Sequence, residues 1–174
     1  EPSQAVERAA RILRGALKMP HVEFHSWGFH GMGERVYLSR IAHGLDVADS
    51  AEMPATGTTP MGASVRCAVN WLSSGYEKKQ LLLLTDGEPD FKDTLDGAAD
   101  RFVSVQRELR RAVKMGINVT TLVIGDGIDT SHCRTMFGHD RHWTRVKPGR
   151  KHAGLTRSLV DLVSRSLIQH LKSG

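Results

Sequence analysis

The stretch from Gln80 to Leu84, four leucines in a row, breaks directly into Thr85-Asp86-Gly87, and nothing else in the chain constrains the fold as tightly. An apolar run of strand length without polar alternation predicts a strand covered on both faces, which requires a parallel sheet with helices packed over it. The abrupt Asp-Gly places a carboxylate where that strand hands over to a loop, the edge at which open α/β sheets bind ligands.

The flanking sequence alternates accordingly. Ala5, Ala9, Ile12, Ala16 and Leu17 predict an amphipathic helix from Ser3 that Met19-Pro20 stops. His21 to Phe29 and Arg35 to Ala42 read as a hairpin about Gly31-Met32-Gly33. Helical spacing returns over Met61–Leu72, and again at Phe102, Val105, Leu109, Ala112 and Val113, where Gly116 closes the helix. Ile117 to Ile124 is a β-branched strand and His142 to Val146 a short one; Leu155, Leu159, Val163, Leu167 and Leu171 mark a last helix. The class is α/β, a mainly parallel sheet flanked by helices, in one domain over 1–174.

Composition narrows the function. With 40% hydrophobic and 25% charged residues the chain is neither disordered nor fibrous, and no apolar run approaches the roughly 20 residues of a membrane span. The charge sum of 24 minus 19 is +5, but the basic residues are scattered without interleaved aromatics. Arg107, Arg110, Arg111 and Lys114 read as a solvated helix face, so neither nucleic acid nor membrane is the expected partner. Two cysteines, Cys67 in a helix and Cys133 in a loop, are too few for a disulfide framework, and a reducing cytoplasm is expected.

Two loops carry oxygen ligands: Thr56-Gly57-Thr58-Thr59-Pro60-Met61-Gly62 and Leu84-Thr85-Asp86-Gly87-Glu88-Pro89-Asp90. Hydroxyl and carboxylate are the hard donors that Mg²⁺ prefers. Asp86 also fits a plain Asp-Gly turn, and Thr59 an N-cap ahead of Pro60 at the first helical position; ligand and structural roles stand side by side. Thr58 is the neighbouring alternative to Thr59. Glu88 belongs to an acidic loop with Asp90, Asp93 and Asp96 and is a candidate for supporting the site from behind; Asp126, in Gly125-Asp126-Gly127, is a candidate for its rim. His132, Cys133, His139 and His142 match no zinc spacing and read as surface or turn residues, and Trp27 and Phe29 as packing residues. No nucleophile elbow, metalloprotease helix, Walker motif or paired-cysteine motif is present, so a binding role is expected and not an enzymatic one.

The threonine loop and the aspartate loop together resemble the von Willebrand factor type A (VWA) family and its metal-ion-dependent adhesion site (MIDAS). The resemblance implies that Thr59 and Asp86 are metal ligands, that the ion is Mg²⁺, and that its open position grips a carboxylate of a protein partner. Trp27-Gly28-Phe29, Thr59-Pro60-Met61-Gly62, Thr85-Asp86-Gly87-Glu88-Pro89-Asp90 and Met136-Phe137-Gly138 look most like the cytoplasmic bacterial NorD, CbbO and CobT type of accessory protein. That likeness implies a MoxR-type AAA+ ATPase as partner and a metalloenzyme or chelatase as client. The family's DxSxS motif, which follows its first strand, is absent from these 174 residues. The implied fold is a VWA sheet lacking its central first strand, with two unpaired edges, low stability and weak or no Mg²⁺ binding by this chain alone. A metal-assisted phosphoesterase and a metal-free degenerate interaction domain are the alternatives.

Overall fold

The computed structural model describes residues 23, 25–32, 35–43, 58–75, 78–86, 88–90, 101–138 and 143–146, with 157, 161, 162 and 164. Its elements are β1 (His25–Met32), β2 (Arg35–His43), α1 (Met61–Leu72), β3 (Lys79–Thr85), α2 (Arg101–Lys114), β4 (Ile117–Ile124), α3 (Thr130–Phe137) and β5 (Trp143–Val146). The predicted first helix lies outside the described residues. So does most of the last one, of which 157, 161, 162 and 164 are helical.

β3, β4 and β5 form a parallel sheet in that order, with Leu81 opposite Val119 and Leu83 opposite Thr121. Each strand-to-strand connection carries a helix, as parallel pairing demands. The face of β3 and β4 that carries Leu81, Leu83, Ile117, Val119 and Val123 packs against Met61, Val65 and Val69 of α1 and Val105, Leu109 and Ala112 of α2. These helical residues recur at three- and four-residue spacing, so each helix offers one apolar stripe. Val113, expected on that stripe, is 60% exposed because it falls beside the line through Leu109 and Ala112.

β3 departs from the both-faces-covered strand its leucines suggest. Leu83 is buried while Leu81, Leu82 and Leu84 are only partly so. The reason is position: β4 is the central strand, and β3 is an edge of this sheet among the described residues.

β1 and β2 pair antiparallel as a separate two-stranded sheet with a register irregularity at Ser26/Trp27. Gly31 and Met32, expected in the turn, continue β1, and Gly31 exchanges both backbone hydrogen bonds with Thr58 (2.8 and 2.9 Å). Phe29 packs against the core as expected, whereas Trp27 is 44% exposed. Among the described residues no strand lies between β1 and β3, and that slot is where the VWA resemblance places a further strand.

The sequence pattern predicts no helix at α3 and places Cys133 in a loop, whereas Cys133 is helical. α3 is only eight residues long, too short for its apolar period to stand out. Its ends were the legible part: Asp129 accepts from the Ser131 N–H as N-cap, and Gly138 closes the helix at φ 80°.

Candidate functional site

The parallel register puts the carboxyl ends of β3, β4 and β5 along one edge, where Gly125 N–H donates to the Val146 carbonyl at 2.8 Å. The N-terminal ends of α2 and α3 return to the same edge because each helix runs antiparallel to its strands. Asp86, Glu88 and Asp90 leave β3 there, with Asp86 and Asp90 exposed and Pro89 buried between Glu88 and Asp90.

Asp90 joins the two predicted loops. Its carboxylate accepts the backbone N–H of Thr59, immediately ahead of α1. A negative group beside a helix N-terminus is favourable, since the first N–H groups lack intrahelical partners. Thr59 does not cap α1 with its side chain: Pro60 is the N-cap residue and has no side-chain cap bond. The expected Thr59 cap is thus replaced by the Thr59 carbonyl, which accepts from Met61 N–H at 2.8 Å, and by Asp90. Thr58, held by Gly31, has its Oγ1 buried with no hydrogen-bond partner.

Glu88 is the most connected member of the loop. Its Oε1 lies 2.6 Å from His132 Nδ1 and 3.5 Å from the Asp129 N–H, and its Oε2 lies 3.4 Å from the Arg101 guanidinium. The His132 hydrogen bond, with help from Asp129 and Arg101 and against the cost of burial, holds the Glu88 carboxyl below the usual glutamate range. An ionised carboxylate only accepts, so Nδ1 of His132 carries the proton. His132 in turn stacks on Phe102, with centroids 4.3 Å apart, so it is no idle surface histidine. Its neighbour Cys133 is fully buried, and burial pushes the thiol up despite the Arg145 guanidinium 3.3 Å away. His139 and His142, which the sequence places near them, lie outside the described residues.

The structure therefore joins Thr59 to the Asp86–Asp90 loop and ties Glu88 behind it. Asp126 stands exposed just after β4, at the carboxyl end of that strand. Among the described residues, no three His, Cys, Asp or Glu side chains converge as a metal-holding group. The donors present still suit a hard cation by type: carboxylates at Asp86 and Asp90 and the threonine hydroxyls, one of them the orphaned Thr58 Oγ1. Sequence reasoning placed Asp90 in a solvated acidic run and His132 among surface histidines and gave Arg101 no part, because only the fold brings the three to one edge. A shallow recess lined by Glu23, Asn70, Trp71, Ser74 and Gly75 lies at the far end of α1 and takes no part in this site.

No protein-family profile and no curated protein sequence matches the chain. Among solved structures, proximal thread matrix protein 1 from the mussel byssus, described with a zinc-occupied MIDAS motif, is similar with a TM-score of 0.65 at 14% identity. The match covers 94% of this chain and 42% of that one, so the chain spans less than half the length of its neighbour. A likeness at that identity speaks for the fold alone: a VWA-like, Rossmann-like α/β arrangement, with helices packed on a parallel sheet.

Proposed function

We propose that this chain is a metal-dependent protein-binding module of MIDAS type, which engages an acidic residue of a partner. The observation that supports it is the Asp90 contact to Thr59, which holds the threonine loop and the aspartate loop together at the carboxyl edge of the sheet. Thr59 and Asp86 would hold the ion, with Thr58 as a further hydroxyl. A bound divalent ion supplies an open coordination position that a carboxylate fills by displacing water. The neighbour's zinc-occupied MIDAS makes zinc a cation to test beside Mg²⁺. The finer reading is an adaptor of the NorD, CbbO and CobT type, working in the cytoplasm beside a MoxR-type AAA+ ATPase on a metalloenzyme or chelatase, with no catalysis of its own.

The deciding experiment is calorimetric titration of a version of the chain supplied with the family's apolar DxSxS strand, and of its Asp86→Ala variant, with MgCl₂ and, separately, ZnCl₂, followed by co-migration with a MoxR-type ATPase. Removing one carboxylate ligand is expected to weaken metal affinity about 10- to 100-fold, the scale seen when a metal site loses a supporting group. Equal metal binding and equal co-migration by the two proteins would remove the reading.

A further inference from the structure

We infer that Glu88 and His132 form a brace that fixes the Asp86–Asp90 loop against the N-terminal ends of α2 and α3. As a role in metal or partner binding the brace rests on the function proposed above; as a structural device it stands on geometry. The contacts close a ring. Glu88 Oε1 accepts from His132 Nδ1 at 2.6 Å, the His132 imidazole stacks on Phe102 at 4.3 Å and 24°, the Arg101 guanidinium sits 4.8 Å from the Phe102 centroid, and Arg101 reaches back to Glu88 Oε2 at 3.4 Å. The Asp129 N–H adds a fifth tie to Oε1 at 3.5 Å.

Three separate segments contribute, and each side chain in the ring has two partners within it. That separates this cluster from an isolated surface ion pair, which contributes little because both long side chains stay free to move. Here the imidazole is pinned by the ring beneath it, and Arg101 is spread over the same ring, so little freedom remains to be lost when the hydrogen bonds form. Glu88 is two residues from Asp86 and two from Asp90. Fixing it leaves the exposed carboxylates on either side with short tethers, so their positions follow α2 and α3. Glu88 and His132 are positioning residues; neither is proposed to touch the metal.

The test reads the loop without any metal. Amide hydrogen exchange is measured on the full chain for residues 84–90, with 117–124 of β4 as the internal standard, in wild type, His132→Ala, His132→Asn and Glu88→Gln. His132→Ala is expected to speed loop exchange about tenfold with β4 unchanged, since local opening is set by local contacts. His132→Asn, whose amide N–H can stand in for Nδ1–H, is expected to restore most of the protection, which a merely bulk-filling role would not. Glu88→Gln keeps shape and an acceptor oxygen but drops the charge, and is expected to give a smaller acceleration of about threefold; it carries the test if His132→Ala also loosens β4. Unchanged loop exchange in both His132→Ala and Glu88→Gln, or equal acceleration in His132→Ala and His132→Asn, overturns the brace. Because no metal is present, a failure of Asp86→Ala to alter Mg²⁺ or Zn²⁺ binding sinks the proposed function without touching this result.

Discussion

At the scale of single residues, the two cysteines show how burial sets reactivity. Cys67 is exposed on α1, whereas Cys133 is buried in α3 under Arg145 with its thiol pushed to higher pKa. A thiolate is the reacting species, so both exposure and ionisation disfavour Cys133. Titration of the native chain with a chromogenic disulfide at neutral pH is expected to show one fast thiol and one that reacts only on unfolding; two fast thiols, or a Cys67→Ser variant that retains the fast phase, would contradict this. Glu88 supplies a pH dependence of defined sign. Its folded pKa is lowered, so the stability it contributes is present above the ordinary glutamate range and is lost as pH falls through the lowered value. Glu88→Gln is therefore expected to flatten the acid limb of a melting-temperature profile while leaving the neutral-to-basic limb parallel to wild type.

At the scale of elements, α1 and α2 meet through a close approach that only glycine permits. A Cβ on Gly62 would lie 2.5 Å from Ser104 Oγ and 3.2 Å from Ser104 Cβ. Below the contact sits Glu108, 4% exposed, which takes Arg66 at 3.1 Å, Arg111 at 3.4 Å and Arg107 at 3.6 Å. Of the basic face read from the sequence as solvated, Arg107 and Arg111 pair with Glu108 within α2, and Arg111 also reaches Asn70 Oδ1 of α1 at 2.7 Å; the ion pair between the helices is Arg66–Glu108. Gly62→Ala is expected to cost roughly 1–3 kcal/mol through overpacking, or several degrees of melting temperature. Ser104 Oγ is itself buried without a partner, so Ser104→Ala removes both the obstacle and an unsatisfied hydroxyl. The double variant is expected to recover most of the loss, and a double variant no more stable than Gly62→Ala would refute the close-contact account. The missed helix α3 belongs to this scale too: Asp129 and Gly138 were readable as its ends, but eight residues gave no periodic signal between them.

At the scale of the whole molecule, the described strands fall into two sheets, β1–β2 and β3–β4–β5, and an isolated antiparallel bridge ties Gly31 of β1 to Thr58 in the threonine loop. An open strand edge is a site for added pairing. A synthetic apolar peptide ending in Asp-x-Ser-x-Ser, added in trans, is expected to raise the melting temperature of the chain and to strengthen its Mg²⁺ binding; no change in either would argue that the slot takes no strand.

The sequence by itself determined the α/β class, the boundaries of α1 and β4 to the residue, the hairpin, and the two loops that carry Thr59 and Asp86, because those depend on local apolar period, β-branching and turn chemistry. Tertiary structure alone decided that Asp90 meets Thr59 and that Glu88 meets His132 and Arg101, whereas the open edge of β3 among the described residues is one that the VWA resemblance already implied. These pairs are 31, 44 and 13 residues apart. No local pattern encodes such meetings; they arise when parallel pairing brings three strand ends and the helix starts that follow them to one side of a sheet.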